Sequence, residues 1–211
     1  MEDLILIGGG GHCKSCIDVI EHTGLYRIVG ILDRPEMVGM QVSGYPVIGT
    51  DDEISAYISR DCSFLVTVGQ IQSGENRATI FNKLIENGAK IPSITSPKSH
   101  ISRSARIGMG TIVMHNCFVN AESRIGNNCI INTASCIEHD AVIGDSVHIS
   151  TSAVVNGNCD IGDGVFIGSN AVISHQRRVA DHVIVGAGAV VIRDIERQGI
   201  YAGNPAREII K

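Results

Sequence analysis

Arg124-Ile125-Gly126-Asn127-Asn128-Cys129-Ile130-Ile131-Asn132-Thr133-Ala134-Ser135-Cys136-Ile137-Glu138-His139-Asp140-Ala141-Val142-Ile143-Gly144 is the stretch from which the architecture can be read. An aliphatic residue falls on every sixth position: Ile125, Ile131, Ile137, Ile143. Followed outward in both directions, the series runs from Ile101 to Val191, sixteen positions that are all Ile or Val. Ile and Val together make up roughly one residue in seven of an ordinary chain, so composition alone does not produce such a series. A six-residue period matches neither a 3.6-residue helix nor a simple amphipathic strand. It matches short strands separated by turns, each delivering one aliphatic side chain to a shared interior, as in a hexapeptide parallel β-helix.

The two-residue alternation of a strand turns the residue two places earlier inward as well. Those residues, from Ser99 through Cys117, Cys129, Ala141 and Ala153 to Ala189, are small or Val at every position except Arg177. A narrow prism needs that pairing of large with small. A second period lies on top: Ile107-Gly108, Ile125-Gly126, Ile143-Gly144 and Ile161-Gly162 recur every 18 residues, three hexapeptides and so one triangular coil. Five coils between 101 and 191, stacked at roughly 4.8 Å each, predict a prism of about 24 Å. Helices between the strands are excluded, because six residues leave no room for a crossover helix. The open ends of a prism are aggregation edges. Asn204-Pro205-Ala206-Arg207-Glu208-Ile209-Ile210 reads as an N-cap, a proline at the first helical position and a short closing C-terminal helix.

Residues 1–95 alternate differently and predict a small doubly wound α/β, Rossmann-like unit. Leu4–Ile7 is expected as a strand, Gly8-Gly9-Gly10-Gly11-His12 as a loop, and Cys13 to about His22 as a helix. Ile28–Leu32 and Phe64–Val68 are expected as further strands, and Asn76–Glu86 as a helix. The organisation expected is therefore 1–95 Rossmann-like, 96–200 β-helix and 201–211 a terminal cap. A glycine loop between strand and helix sets backbone N–H groups and a helix N-terminus where phosphate can bind. Gly8-x-Gly10-x-x-Cys13 lacks the third glycine of the dinucleotide fingerprint, and Cys13 stands where a Walker A motif before Lys14-Ser15 requires glycine. NAD, ATP and a purely structural glycine turn all stay open, with a nucleotide diphosphate preferred.

Composition narrows the classes further. Apolar residues make up 44% of the 211, enough for a core, but aromatics only 4% and Trp is absent, so the core is built from Ile, Val, Ala and Cys. The net charge is −5, and no basic run exceeds Arg177-Arg178, which argues against a nucleic-acid-binding face. The N-terminus starts acidic with four apolar residues in a row, unlike a signal peptide, and no stretch of about 18 apolar residues spans a membrane. Seven cysteines in no paired pattern read as reduced thiols of a cytoplasmic protein.

With the Gly-Gly-His loop, the hexapeptide series, Ile137-Glu138-His139-Asp140 and Ala202-Gly203-Asn204-Pro205-Ala206 on the page, the whole chain resembles the bacterial sugar acetyltransferases. These act on nucleotide-linked 4-amino-4,6-dideoxy sugars, or O-acetylate sialic acid. The resemblance implies a left-handed β-helix, a homotrimer, and acetyl-CoA lying between neighbouring prisms. It implies His139 as general base with Asp140 raising its basicity, His148 touching the acetyl group, and coenzyme A contacts at Ser169 and Ala187. It implies nucleotide-sugar contacts at Gly10, Gly11, His12, Asp33, Arg34 and Gly69. The family often has Glu at position 140, a second acid at 34 and Gly at 187, so Arg34 alters the contact expected at the base or ribose. The function implied is N-acetylation of an amine on a UDP-linked amino-dideoxy sugar for surface glycan synthesis, with O-acetylation of sialic acid or a related nonulosonic acid as the alternative.

The residue types suit that chemistry. A neutral imidazole accepts a proton at neutral pH, and a neighbouring carboxylate fixes its tautomer. Adjacent strand residues face opposite ways, so His139 and Asp140 can meet only at a turn, and the repeat places them at a corner. His148, nine residues on, falls on another side of the same prism, which points to cooperation across a subunit interface. His139 and His175 share one column, but no third ligand follows for zinc, so no metal is expected.

Overall fold

The computed structural model describes residues 1–71 and 73–209. The N-terminal unit is a five-stranded sheet in the order β3-β4-β2-β1-β5, built from β1 (Glu2–Ile7), β2 (Tyr26–Leu32), β3 (Gln41–Val42), β4 (Tyr45–Gly49) and β5 (Ser63–Val66). β1 lies inside the sheet, parallel to both β2 and β5, and β2 is parallel to β4. Helices α1 (Gly11–Thr23) and α2 (Ile54–Ile58) connect them, and α3 (Glu75–Glu86) follows β5 on the way to the prism. The continuous burial of Leu4, Ile5, Leu6 and Ile7 is that of a strand covered on both faces. The β3–β4 hairpin is an addition to the expected alternation. Its strands are short, and Ser43-Gly44 turn between them with positive φ.

From Ile94–Thr95 onward the chain winds as two-residue strands, each paired in parallel with the strand 18 residues later. Three sheets result. One carries Ile94, Ile112, Ile130, His148, Phe166 and Ile184 on its outer side; a second carries His100, Phe118, Cys136, Val154, Val172 and Val190; the third carries Arg106, Arg124, Val142, Asp160 and Arg178. The repeat aliphatics line the prism: Val119, Ile131, Ile137, Ile149, Val155, Ile167 and Val185 are fully buried, as are Ala141, Ala153 and Ala171 among the small partners. Arg177 breaks the pattern just before Arg178–Val179, the last strand of the third sheet. Its guanidinium turns aside to Asp194 at 3.2 Å and to the His175 carbonyl.

Each corner spends one residue in the left-handed conformation, every sixth residue from Asn116 to Gly188. One corner column explains the Ile-Gly-Asx repeat. The Asn127 N–H donates to Asp145 Oδ1 (2.6 Å), that of Asp145 to Asp163 Oδ1 (2.7 Å), and that of Asp163 to Asp181 Oδ1 (2.8 Å). A Cβ on Gly126, Gly144 or Gly162 would run into the acceptor carboxylate of this ladder.

The closing helix expected from Asn204 is not there. Ile200–Ala202 continues the first sheet beside Ile184–Val185 and then turns back, through Gly203 at φ 92°, into Arg207–Glu208 as an antiparallel strand. The Ala206 N–H donates to Val190 O and the Ile209 N–H to Ile200 O, so backbone donors that a helix would use are spent on the sheet. A seven-residue helix has little stability of its own, whereas a hairpin covers the exposed end of the last coil. Ile210 lies outside the described residues. No helix of the described residues is long and apolar enough to cross a membrane.

Candidate active site

The glycine loop folds as it does because β1 must hand over to α1 through three residues, Gly8, Gly9 and Gly10. Gly8 adopts φ 101° and donates its N–H to Leu32 O. The Thr67 hydroxyl donates to Gly8 O at 2.7 Å. Gly10 caps α1 without a side-chain bond, and a Cβ on Gly10 or Gly11 would meet empty space. A cleft of about 810 Å³ opens over this loop, and Gly10, Gly11, His12, Asp33, Arg34 and Gly69 all line it. The structure therefore brings together every residue expected to touch a nucleotide sugar. Free N–H groups at a helix start suit a diphosphate.

Two of these residues differ in detail from the expectation. The Asp33 carboxylate accepts N–H bonds from Gly9 (2.7 Å) and Arg34 (2.7 Å), so its first task is to hold the loop. Arg34 stands exposed at the mouth, 3.2 Å from Glu36. Asp51 and Asp52 line the cleft too and were not anticipated. They begin a short turn whose capping box, Thr50 with Glu53, is visible in the sequence as T-x-x-E. Burial raises the Asp51 pKa above the ordinary carboxylate value.

Behind the cleft, the sheet domain meets the prism through buried polar groups. Arg77, on α3, is enclosed and donates to the carbonyls of Val66, Val68 and Asn128. His148 is 6% exposed, its Nδ1 2.6 Å from Gln70 O and its Nε2 3.1 Å from Asn132 Nδ2. Both ring nitrogens are thus engaged within the chain, which leaves no free donor for an acetyl carbonyl in this arrangement. Burial pushes the His148 pKa down to about 4 against the opposing pull of the Gln70 carbonyl, with nearby Arg77 adding to the depression. His12, with ring centroids 6.4 Å from His148, is pushed to about 3 by burial, then Arg77 and His148. Both imidazoles are neutral at pH 7. Arg77, Gln70 and Asn132 had no signal in the sequence, since their partners lie on other elements.

His139 stands apart from this junction, exposed, at the corner after Cys136–Ile137. Asp140, at φ 59°, folds back so that its Oδ2 lies 2.8 Å from His139 Nδ1. A carboxylate accepts only, so Nδ1–H donates and the Nε2 lone pair is left free. The ring rests on Gly157 of the next coil, where a Cβ would lie 2.8 Å from Nε2. Ser169 and Ala187 share a different corner column, and the Ser169 hydroxyl pairs with that of Ser150 at 3.0 Å. The His139 column and the Ser169 column flank one sheet, the sheet carrying Phe118, Cys136, Val154, Val172 and Val190. The structure does not bring His139 and His148 into contact within the chain.

A Rossmann-like unit with an open glycine loop, set on a parallel β-helix with a corner His-Asp pair, defines a two-domain hexapeptide-repeat transferase. Residues 3–84 match the PglD N-terminal domain, and residues 140–175 and 158–193 match the bacterial transferase hexapeptide (six repeats). The acetyltransferase domain of PglB from Neisseria gonorrhoeae is 34% identical, over 99% of this chain and 100% of that one, with a TM-score of 0.92; a further structure of it contains acetyl coenzyme A. PerB from Caulobacter crescentus, solved with CoA and GDP-perosamine, is 28% identical over 99% of this chain and 98% of that one, with a TM-score of 0.91. WeeI from Acinetobacter baumannii shares the fold at 23% identity, with 99% and 100% covered and a TM-score of 0.88. No curated protein matches by sequence. The chain belongs to the family of bacterial hexapeptide-repeat sugar acetyltransferases.

Proposed function

We propose that this protein transfers the acetyl group of acetyl-CoA to the amine of a nucleotide-linked amino-dideoxy sugar, of the UDP-4-amino-4,6-dideoxy type, in the cytoplasm for surface glycan synthesis. The observation that carries this reading is the His139–Asp140 pair, held at 2.8 Å with Nε2 free at an exposed corner of the prism. The sugar's diphosphate lies on the Gly10–Gly11 N–H groups, with His12, Asp33, Arg34 and Gly69 around it. The neutral amine attacks the thioester carbonyl carbon and forms the C–N bond. His139 Nε2 takes the amine proton, and the Asp140 carboxylate stabilises the imidazolium. The C–S bond breaks, and the CoA thiolate recovers the proton. Ser169 and Ala187 contact the acetyl-CoA, and His148 reaches the acetyl group only by releasing the Gln70 carbonyl from Nδ1.

Geometry supports a homotrimer. The sheet between the two corner columns presents Phe118, Cys136, Val154, Val172 and Val190, an apolar outer row, whereas the neighbouring sheet presents Arg106, Arg124 and Arg178. Packing apolar rows about a threefold axis sets His139 of one protomer against Ser169 and Ala187 of its neighbour. The amine is favoured over a hydroxyl because relatives named by substrate are N-acetyltransferases. The test is thiol release from acetyl-CoA with UDP-, GDP- and dTDP-linked amino sugars and free sialic acid. Turnover confined to a UDP-linked amine is expected; turnover of sialic acid alone overturns the reading.

A further inference from the structure

The two domains also meet away from the glycine loop, where α1 presents Asp18 and His22, one helical turn apart, to His115 on an early coil. One ring nitrogen of each histidine and a carboxylate oxygen of Asp18 all lie within 4.8 Å of one another. His115 Nε2 is 2.7 Å from Asp18 Oδ2, and the two imidazoles meet edge to face at 5.1 Å. His115 is oriented from behind, its Nδ1 2.6 Å from the hydroxyl of the buried Ser96. His22 Nδ1 lies 2.7 Å from the Asp18 carbonyl oxygen and 3.6 Å from the Asp18 carboxylate.

We propose that Asp18, His22 and His115 form a binding site for a divalent transition ion of the zinc type, which fastens α1 to the β-helix. Two imidazoles and one carboxylate are a donor set for zinc; magnesium and calcium prefer oxygen alone. Three protein ligands leave a position for water, which the exposure of Asp18 and His22 supplies. Ligating histidines are held by hydrogen bonds from their second nitrogen, and Ser96 stands in that position for His115. The ligands come from both domains, 97 residues apart in sequence between Asp18 and His115. Metal binding therefore favours the docked arrangement of the helix that starts at the glycine loop. The site takes no part in acetyl transfer, so the proposal stands independently of that reaction.

One neighbour opposes the ion. The Lys98 ammonium lies 3.2 Å from His22 Nε2, and its charge repels a cation there. This makes the proposal testable in both directions. Chelator-treated full-length protein is titrated with Zn²⁺ by calorimetry and with Co²⁺ by visible absorption, and Tm is followed alongside. One Zn²⁺ per chain, a Co²⁺ spectrum of low coordination number and a higher Tm are expected. Removing a ligand, by His115→Ala or His22→Ala, weakens binding by at least about tenfold, and Ser96→Ala by about tenfold. Lys98→Ala, which removes no ligand, tightens it. Unchanged Tm and circular dichroism of the metal-free His22→Ala chain show that its fold is intact. Zn²⁺ binding that is equal in wild type, His22→Ala and His115→Ala belongs elsewhere, for example to thiols, and overturns the proposal. Absence of binding at millimolar Zn²⁺ overturns it as well.

Discussion

His139 needs three neighbours to act as a base: a carboxylate on Nδ1, a clear Nε2 and a floor. Asp140, the corner conformation and Gly157 supply them. His139→Ala is expected to lower kcat/KM by about 10²–10⁴, measured by thiol release; a fully active variant removes His139 from the mechanism. Gly157→Ala displaces the ring and is expected to lower kcat while leaving the sugar KM in place; the kinetic split checks this. The buried histidines make a pH prediction. The folded-state pKa values of His12, about 3, and His148, about 4, lie below the ordinary 6.5, so the unfolded chain binds protons that the folded chain refuses. Their contribution to stability is complete above pH 6.5 and is lost as pH falls through 6.5 toward 4. Tm should therefore decline over that interval, with a shallower slope in His148→Phe; identical slopes would contradict the assignment. The His139–Asp140 pair was legible because a corner can be counted from the repeat. Engagement of His148 by Gln70 was not, since it depends on a contact 78 residues away.

At the scale of elements, the strands and coils follow from one aliphatic residue in six, and the structure pairs them at the 18-residue offset. The carboxylate ladder is the part of that repeat that periodicity alone left unexplained. Only an Oδ1 is required of it, and Asn127 already provides one as an amide. Asp163→Asn should thus be close to neutral in Tm, whereas Asp163→Ala leaves an N–H unpaired and costs about 1 kcal/mol. Chemical denaturation of the pair, with equal losses counting against the ladder, checks this. The short helix α2 was not singled out in the sequence, and two further elements escaped for identifiable reasons. The Asn-Pro pair near the end has helix-start chemistry, yet sheet pairing of the segment just before it captured the backbone. In the β3–β4 hairpin β3 has only two residues, and Pro46 and Gly49 give β4 residue types that are depleted in strands.

For the whole molecule, the three faces of the prism differ in chemistry: one is buried against the sheet domain, one is charged and one is apolar. Assembly about the apolar face predicts that Val154→Arg yields monomers by light scattering and abolishes acetyl transfer, while a nucleotide sugar still protects the protein thermally. Full activity in a monomeric variant would place the reaction within one chain. The two-domain plan could be read from the change of period near residue 95. The docking of the domains could not, because Arg77 satisfies carbonyls on both sides without any carboxylate partner to mark it.

The uniform 18-residue register carries a consequence for how such a chain can change length. Duplicating one full coil would lengthen the prism and leave every later side chain on the face it now occupies. Inserting a single hexapeptide between the His139 corner and Ser169 would rotate everything downstream by a third of a turn. The residues now at the Ser169 corner would then occupy the column of His139, and the two corners would no longer flank one sheet.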